Sequence, residues 1–415
     1  MANKIKRYVQ VGCGSRGTGA YSVPLVKEFG EYGELCGVYD INYKRAERVS
    51  RVTGKDIPVF DDFDKMLEEV KPDAVIVTTK DCDHDYYAIK AMQAGIDVIS
   101  EKPLTTTFEK ANALRKVKEE TGRDLTVTFN CRFFPFYVRV KEILDSGILG
   151  DILSVHLEWL LDTDHGADYF RRWHREKKNS GTLLVHKSTH HFDLVNWWLG
   201  QDPLHVNAFG TRSFYGPTTD KRGERCLTCE HKNTCRYFFD IKAPAYKDLY
   251  YDCEDVDGYY RDKCIFSDEI DIEDTVSVNV QYSGGTVLSY SLIAHSPLEG
   301  VNITFNGTNG RLEIRKPLRG TTWIDTAKDQ VFRIYNREGE EIDYKIPEKK
   351  GGHGGSDGRL LDRVFGKVTG PDPLNQCAGL REGLLSIGIG MAATVSMEEG
   401  RQVSLSEFYG DIDKL

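Results

Sequence analysis

A glycine-rich turn near the start of the sequence constrains the fold of this chain most strongly. A short β-type run, Arg7 to Val11, leads directly into Gly12, Gly14 and Gly17, which have the spacing G-x-G-x-x-G. The first glycine of such a turn permits a tight bend, and the second admits a pyrophosphate against the backbone. The third lets the next helix pack close to the strand. Glycine-rich turns are common, so the spacing alone is weak evidence. Together with the β-type run before it, the spacing predicts a strand, a turn and a helix that bind a dinucleotide.

Predicted strands and helices alternate after the glycine turn. Apolar, strand-like runs occur in ELCGVYD, KPDAVIVTTK, IDVISEKP and DLTVTFN, and helical patterns occur at about 44–51, 63–70 and 108–121 and in HDYYAIKAMQAG. Nearly continuous apolar runs are typical of parallel strands that are covered on both faces. The alternation therefore predicts a doubly wound parallel sheet, whose ligands bind at the carboxyl ends of its strands.

The residues expected beside the dinucleotide come from the glycine turn and from the strand ends. Asp40 ends the second predicted strand, where a carboxylate suits the ribose hydroxyls of NAD and repels the 2′-phosphate of NADP. A solvated carboxylate is the alternative interpretation of Asp40, and Arg45, close in the sequence, leaves some use of NADP open. The predicted cofactor-binding residues are Gly12, Gly14, Ser15, Arg16, Gly17, Asp40, Thr78, Thr79, Glu101, Lys102 and Asn130.

The length of the chain predicts more than one domain, because 415 residues exceed a single hydrophobic core of ordinary size. We expect a NAD-binding Rossmann domain at 1–130 and an α+β domain for substrate binding and oligomerisation at 131–415, with an insertion at about 223–266. Strand-like alternation from Asp274 onward predicts a large, mostly antiparallel sheet. Its open face favours a homo-oligomer, either a dimer or a tetramer. A glycine-rich loop near its end contains His353, which either reaches a site or belongs to a simple linker.

Charge and hydropathy argue against two classes of partner. The formal net charge of −9 provides no basic surface for nucleic acid or for an anionic membrane. No run approaches the roughly 20 apolar residues that a membrane span needs. The first residues lack the long apolar core of a secretory signal, so the expected location is the cytoplasm, where cysteines are mostly reduced.

A group of cysteines lies in the predicted insertion. Cys226, Cys229 and Cys235 form a C-x-x-C pair with a third cysteine six positions on, and Cys264 or Cys253 would supply a fourth thiolate. Structural zinc is the first expectation, because a tetrathiolate site would stabilise an insertion with little core of its own. An iron–sulfur cluster is the rival, and free or partly oxidised cysteines are the third alternative.

Four motifs in order carry a resemblance that extends over nearly the whole chain. VGCGSRG, AGIDVISEKPL, FNCRFFPFY and THHFDLVNWWLG resemble the Gfo/Idh/MocA oxidoreductase family, from about Tyr8 to Leu405 with the exception of the insertion. The resemblance implies a Rossmann domain followed by a domain with a large, mostly antiparallel sheet. It also implies oxidation or reduction of sugars, cyclitols or related small molecules with NAD or NADP.

The resemblance implies a catalytic lysine. The lysine of the family's E-K-P motif lies beside the nicotinamide and the reacting carbinol, and it corresponds to Lys102. A cation there would lower the pKa of the substrate hydroxyl and stabilise negative charge on its oxygen. Glu101 would position the ribose or the lysine, and the bond to Pro103 is often cis in the family.

The resemblance implies a second group of catalytic residues, which lies in the segment SGTLLVHKSTHHFDLVNWWLG. Aligning Asp193 with the last aspartate of the family pattern places the catalytic histidine at His190, and a helix over 190–199 would put both on one face. The family's upstream aspartate is replaced here by His186, and Lys187 and His191 add two titratable groups. Lys187 is therefore a further catalytic candidate, and a partly solvated loop is the plain alternative for this segment.

Residues 151–176 are predicted to form a strand followed by a polar, aromatic loop. Sugar sites combine polar side chains that bind hydroxyls with an aromatic face against the ring. The loop is therefore expected to contribute to the substrate site, although a simple surface loop is the alternative. The predicted substrate-binding residues are His165, Arg172, Trp173, His186, Lys187 and His191.

These observations predict a NAD-dependent oxidoreductase that acts on a secondary hydroxyl or keto group of a sugar, glycoside or cyclitol. Two alternatives remain from other classes. One is a glycosidase-like enzyme that retains NAD and works by oxidation, elimination and reduction. The other is a non-catalytic regulator that binds a dinucleotide.

Overall fold

The computed structural model describes residues 5–319, 326, 330–345 and 355–415. His353 lies outside the described residues. The described residues divide into two compact units. The first unit consists of Met1–Phe133, Phe239–Asp262 and Gly355–Leu384, and the second unit consists of Phe134–Phe238, Lys263–Gly354 and Leu385–Leu415.

The first unit is built on a six-stranded sheet. Its strands are β1 (Lys6–Val11), β2 (Gly33–Tyr39), β3 (Val59–Phe60), β4 (Ala74–Val77), β5 (Asp97–Ser100) and β6 (Leu125–Val127). The order in the sheet is β3-β2-β1-β4-β5-β6, and every pair is parallel. The order reverses next to β1, which is where doubly wound sheets bind dinucleotides. The predicted doubly wound parallel sheet is confirmed.

The second unit is built on a nine-stranded sheet. Its strands are β7 (Ile152–Asp162), β8 (Pro203–Thr211), β9 (Thr275–Tyr282), β10 (Val287–Ser296), β11 (Glu299–Gly307), β12 (Gly310–Arg319), β13 (Val331–Asn336), β14 (Glu341–Asp343) and β15 (Val403–Ser404). The order is β14-β13-β12-β11-β7-β10-β9-β8-β15, and only β7 with β10 is parallel among the described pairs. This confirms the large, mostly antiparallel sheet. The homo-oligomer stays a prediction.

The described α-helices connect and cover these strands. They are α1 (Ser15–Gly17), α2 (Val23–Lys27), α3 (Tyr43–Thr53), α4 (Phe63–Val70), α5 (His84–Gln93), α6 (Phe108–Thr121), α7 (Pro135–Asp145), α8 (Thr163–Arg171), α9 (Lys177–Ser180), α10 (Leu183–His186), α11 (Thr189–Leu199), α12 (Pro244–Lys247), α13 (Glu254–Asp257), α14 (Ser356–Val364), α15 (Leu380–Glu399) and α16 (Ser406–Tyr409). None of them combines the length and the apolar character that a membrane crossing requires.

Burial explains why a distant segment belongs to the first unit. Helix α14 contributes Leu361 to the core of that unit, and Phe365, the next residue after it, packs edge-on against Tyr8 of β1 with ring centroids 5.3 Å apart. Phe29 packs against the same phenylalanine at 5.3 Å. These apolar contacts bury large side chains that would otherwise be exposed, which stabilises the attachment of α14 to the sheet.

The loop predicted after β7 is a helix. Asp162 caps α8, because its carboxylate accepts hydrogen bonds from the backbone N–H groups of Asp164 and His165, at 3.1 and 2.9 Å. An aspartate at this position satisfies amides that the first turn of a helix leaves unpaired. The polar composition of the segment predicts a loop, but the cap and the burial of Ala167 and Phe170 make Thr163–Arg171 helical.

Helix α15 approaches the backbone of α10 closely at a glycine. A Cβ atom at Gly390 would lie 2.5 Å from the carbonyl oxygen of Leu184 and 3.0 Å from the backbone nitrogen of Val185. Backbone atoms within a packed core cannot move aside as a flexible side chain can. Gly390 therefore fixes the position of α10, which directly precedes the segment with the predicted catalytic histidine.

We expect Gly390→Ala to lower the free energy of unfolding by about 1–3 kcal/mol, the usual cost of overpacking. Urea unfolding followed by tryptophan fluorescence measures the change. Gly358→Ala in α14 is the matched control, because a Cβ at that position meets no atom within 4 Å. Equal stability of the two variants would contradict the close packing of α10 and α15.

Candidate functional site

The three glycines after β1 occupy three different environments. Gly12 has a φ of +87°, and a Cβ there would lie 2.5 Å from the carbonyl oxygen of Thr78. At Gly17 a Cβ would lie 2.3 Å from the carbonyl oxygen of Gly12, whereas at Gly14 it would meet no atom within 4 Å. The first and third glycines are therefore required by packing, and the second leaves open space against the backbone. That space is what a pyrophosphate needs, so the turn fits a dinucleotide.

Asp40 follows β2 and is held beside the glycine turn. Its carboxylate accepts hydrogen bonds from the backbone N–H of Cys13 at 2.7 Å and from that of Asn42 at 2.8 Å. Burial raises the pKa of Asp40, although these two amides and the charge of Arg45 act in the opposite direction. The structure thus fixes an acidic side chain at the end of β2, where the ribose of a bound dinucleotide is expected.

Glu101, which follows β5, is buried at the centre of a hydrogen-bonded network. It accepts hydrogen bonds from Arg16 Nε at 2.6 Å and from Tyr21 Oη at 2.8 Å. Its second oxygen accepts from the backbone N–H of Lys102 at 3.1 Å. Burial opposes its ionisation, but the charges of Arg16 and Lys102 outweigh that effect and hold its pKa below the ordinary value. Glu101 is therefore a carboxylate that orients the backbone of Lys102, and the bond from Lys102 to Pro103 is cis.

Asp357 in α14 was not found from the sequence, yet it joins two predicted cofactor-binding residues. Both oxygens accept hydrogen bonds from the guanidinium of Arg16, at 3.1 and 3.2 Å, and Oδ1 also accepts from Asn130 Nδ2 at 2.7 Å. No motif surrounds Asp357, and it lies 341 positions after Arg16, so local sequence patterns could not reveal the contact.

The remaining predicted cofactor-binding residues lie in the same part of the first unit. Thr78 Oγ1 donates to the carbonyl oxygen of Gly12 at 2.6 Å, which fixes the turn. Ser15 is exposed at the start of α1, and Thr79 Oγ1 donates to the carbonyl oxygen of Lys80 at 3.2 Å. The turn and the ends of β2, β4 and β5 thus bring their polar groups to one edge of the sheet.

In the second unit, residues 187–191, which lead from α10 into the first turn of α11, pack against β7 and β10. His191 stacks on Trp159 with ring centroids 4.0 Å apart, and its Nδ1 lies 2.8 Å from Tyr290 Oη. Ser188 Oγ lies 2.8 Å from the same hydroxyl, and Lys187 Nζ lies over the ring of Trp159, 5.2 Å from its centroid. His191 is 2% exposed, so its contacts are with the protein interior.

Aromatic and imidazole rings around His186 form a second group in the same unit. His174 lies 4.1 Å from His186 and stacks on Trp173 at 3.6 Å, between ring centroids. Tyr169 contacts His186 at 5.4 Å, and its hydroxyl lies 3.1 Å from His165 Nε2. The structure therefore brings together three of the predicted substrate-binding residues, one on α8, one just after it and one at the end of α10.

Glu299 at the start of β11 joins this group and was missed by the sequence analysis. One oxygen lies 3.0 Å from His165 Nδ1, and the other accepts from Arg319 Nη2 at 2.9 Å. Burial opposes its ionisation, but hydrogen bonds from His165 and Arg319, with the charges of His165 and Lys187, lower its pKa to about 2. A single glutamate at the start of a strand carries no pattern that would identify it. Arg172 pairs separately with Asp168 at 3.2 Å.

The predicted catalytic histidine lies in the first turn of α11. His190 is partly exposed, and its backbone N–H donates to the carbonyl oxygen of Lys187 at 3.3 Å. Asp193, three residues further along the helix, is fully buried. Thr182, just before α10, has a φ of +137°, a conformation that residues with a Cβ rarely adopt. Backbone strain of this kind is concentrated at functional sites.

The cysteines of the insertion correct the metal prediction. Within the described residues, no group of three or more His, Cys, Asp or Glu side chains is arranged to hold a metal. The zinc or iron–sulfur site predicted at Cys226, Cys229, Cys235 and Cys264 therefore has no support, and no disulfide bond joins any of the ten cysteines, all of which lie in the described part of the chain. Arg171 Nη1 instead donates to Cys226 Sγ at 3.3 Å.

Local geometry explains why the cysteine pattern misled. Residues Cys226–Thr228 form a 3-10 turn, which closes with a hydrogen bond from the backbone N–H of Cys229 to the carbonyl oxygen of Cys226. A C-x-x-C spacing suits such a turn as well as it suits a metal site. Cys253, the alternative fourth ligand, belongs to the first unit, and its Sγ lies 3.5 Å from the carbonyl oxygen of Asp248.

The sheet order and the glycine turn define a dinucleotide-binding protein, and comparison with known families defines its class further. Residues 6–129 match a family model described as an oxidoreductase family with a NAD-binding Rossmann fold. Residues 141–405 match the model of the C-terminal alpha/beta domain of the same oxidoreductase family. The chain therefore belongs to the Gfo/Idh/MocA oxidoreductases, as its four motifs predicted, and it is a NAD-binding oxidoreductase.

Individual relatives agree with this assignment. The chain is 37% identical to the putative oxidoreductase YteT of Bacillus subtilis (strain 168), over 98% of this chain and 99% of the relative. It is 29% identical to scyllo-inositol 2-dehydrogenase (NAD(+)) of the same organism, over 48% of this chain and 59% of that enzyme. The solved structure of myo-inositol 2-dehydrogenase from Lactobacillus plantarum has a TM-score of 0.65 at 19% identity and covers 97% of this chain and 99% of its own. That last likeness concerns the fold.

We expect Glu299→Gln to destabilise the protein at neutral pH and to matter less in acid. A carboxyl group whose folded pKa is about 2 stabilises the folded state fully above its unfolded value of about 4.3, and the stabilisation declines as the pH falls toward 2. After allowance for solvent around Arg319, the loss at pH 7 is on the order of 2 kcal/mol.

Urea unfolding at pH 7, 4.5 and 3.5 tests the prediction for Glu299. Glu341→Gln on β14 is the control, because the side chain of Glu341 is 55% exposed where it pairs with Arg333. A difference between wild type and Glu299→Gln that does not shrink below pH 4.5 would contradict the role of the charge.

Proposed function

We propose that the protein transfers hydride between NAD and a secondary hydroxyl or keto group of a sugar, glycoside or cyclitol. The observation that carries the proposal is the group around His186, where Trp173 and Tyr169 contact the imidazole and the Tyr169 hydroxyl lies beside His165, the partner of Glu299. Polar groups next to an aromatic ring suit a polyol ring with apolar edges. The names of relatives that act on inositols support the same class of substrate.

The first unit is proposed to hold NAD in preference to NADP. The open space at Gly14 would take the pyrophosphate, and Asp40 would accept hydrogen bonds from the ribose hydroxyls. NAD supplies the acceptor for the hydride when it is bound. Glu101 and Arg16 would keep the backbone before Lys102 in place, because the pair is linked at 2.6 Å and the glutamate is buried.

Two residues are proposed to act on the substrate hydroxyl. Lys102 would stabilise negative charge on the oxygen as its proton is lost, and His190 would accept or return that proton near neutral pH. Lys187 remains a second candidate for the proton transfer. The replacement of the family's upstream aspartate by His186 is proposed to suit a keto-sugar or an anionic substrate.

A screen of sugars, cyclitols and glycosides tests the proposed function, with NAD and NADP each added to the full chain. We expect absorbance of reduced nicotinamide to appear with NAD and at least one secondary alcohol of these classes. Release of an aglycone without net reduced cofactor would identify the NAD-retaining glycosidase-like alternative. Tight NADH binding with no turnover of any member would favour the non-catalytic regulator.

We expect Lys102→Met to lower kcat by about 10²–10⁴-fold, the usual contribution of a positioned proton-transfer group. NADH affinity should fall far less than kcat, because the glycine turn and Asp40, which are proposed to hold the pyrophosphate and the ribose, are untouched. Lys116→Met in α6 is the matched control, since the side chain of Lys116 is 73% exposed. Steady-state rates of the two variants, measured with the substrate from the screen, test the catalytic role of Lys102. Unchanged turnover in Lys102→Met would reject its catalytic role.

A further inference from the structure

Each basic side chain at the start of α3 pairs with an acidic side chain from the segment Phe239–Asp262. This segment is the part of the predicted insertion that belongs to the first unit, and α3 begins just after Asp40. The pairs are Lys44 with Asp255 at 2.7 Å, Arg45 with Asp257 at 2.6 Å, and Arg48 with Asp248 at 2.6 Å. The acids neutralise the positive charge of the helix that follows the predicted ribose-binding carboxylate.

Only one of the three pairs is well sheltered from water. The side chains of Arg45 and Asp257 are 9% and 12% exposed, whereas Asp255 is 69% exposed and Asp248 is 44% exposed. Exposed pairs contribute little, because water and salt screen them. A sheltered arginine and carboxylate hold each other in place much more firmly, since removal of one leaves the other charged and buried.

Further contacts fix Arg45 in this position. Its Nε donates to the carbonyl oxygen of Leu249 at 3.4 Å, and its guanidinium carbon lies 5.6 Å from the centre of the Tyr259 ring. Asn42 Nδ2 also donates to the carbonyl oxygen of Cys253 at 2.8 Å, and Asn42 is fully buried. The segment is thus anchored to the turn that holds the carboxylate of Asp40.

Arg45 is also close enough to Asp40 for their charges to interact. Burial works against the charge of Arg45, but Asp257 and Asp40 together hold its pKa above the ordinary value. Where such folds bind NADP, an arginine near this position accommodates the 2′-phosphate. Arg45 has the charge for that task, but Asp257 already occupies its guanidinium.

We propose that Asp257 determines cofactor choice, because it holds Arg45 away from a 2′-phosphate and balances the positive charge that would attract one. The inference rests on the proposed use of NAD and extends it to a residue of the inserted segment. Asp40, Arg45 and Asp257 together carry one negative charge, which disfavours a phosphate at the ribose. Without the charge of Asp257, the net charge of the three side chains becomes zero, and the guanidinium of Arg45 becomes available to a 2′-phosphate.

Equilibrium titration of the full chain with NADH and with NADPH, followed by nicotinamide fluorescence, tests the proposal without a substrate. In Asp257→Asn, we expect the affinity for NADPH relative to NADH to rise by about tenfold over wild type, equivalent to about 1.4 kcal/mol. Asp255→Asn is the matched control, and its ratio should stay within about twofold of wild type because that pair is exposed. An unchanged ratio in Asp257→Asn would overturn the proposal.

The double variant Arg45→Gln/Asp257→Asn replaces the ion pair with a neutral pair of similar shape, so no buried charge is left alone. We expect its NADPH to NADH ratio to lie within about twofold of wild type, since a balanced pair attracts no phosphate. A tenfold fall would mean that Arg45 already contacts the phosphate in wild type, which would overturn the proposal. This measurement remains decisive if Asp257→Asn does not fold.

Failure of this proposal can be told apart from failure of the proposed function. If wild type binds neither NADH nor NADPH, the dinucleotide-dependent function fails together with the inference. If wild type binds NADH and the ratio in Asp257→Asn does not move, only the role of Asp257 is rejected.

Discussion

The close approach of the glycine turn to the end of β4 is the contact on which the rest of the first unit depends. Gly12 packs against the backbone of Thr78 with no room for a Cβ, and the Thr78 hydroxyl bonds to the carbonyl oxygen of Gly12 at 2.6 Å. Gln10 Nε2 donates to the same carbonyl at 2.9 Å. Because the turn is fixed, the backbone N–H of Cys13 donates a hydrogen bond to Asp40. The space next to Gly14, the following residue, stays open.

Charged side chains around this turn are paired with side chains of opposite charge. Glu101 is buried and accepts hydrogen bonds from Arg16 and Tyr21, and Asp357 accepts two more from the guanidinium of the same arginine. Arg45, whose charge acts on Asp40, is paired with Asp257. Balanced pairs avoid the cost of an isolated buried charge and hold their side chains in single positions. A dinucleotide would therefore meet a site whose polar groups are already oriented.

The second unit uses a similar arrangement around imidazole rings. Glu299 links His165 to Arg319, and the charge of Lys187 contributes to the low pKa of that glutamate. His191 is tied to Tyr290 and Trp159, which fixes the segment that carries His190. The rings of Tyr169, Trp173 and His174 surround His186 in the group that we propose binds the substrate.

Local pattern predicted much of the fold, because strands, helices and turns are set by neighbouring residues. The helix Phe108–Thr121 and the order of elements around the glycine turn are confirmed. Contacts between residues far apart in the sequence could not be predicted from local patterns. Glu299 and Asp357 carry no motif, and nothing in the sequence pairs Asp257 with Arg45. The cysteine spacing suggested a metal site because a 3-10 turn has the same spacing. The polar composition of α8 is also typical of a loop, so its sequence did not indicate a helix.

The most direct test of the central claim is the binding of NADH to Gly14→Val. Gly14 has a φ of −67° and a ψ of −174°, which valine adopts readily, and a Cβ there meets no protein atom within 4 Å. We expect urea unfolding to stay as in wild type while NADH affinity falls by more than about tenfold, because the added side chain fills the pyrophosphate space. Unchanged NADH affinity in a normally folded Gly14→Val would contradict the placement of the dinucleotide at this turn.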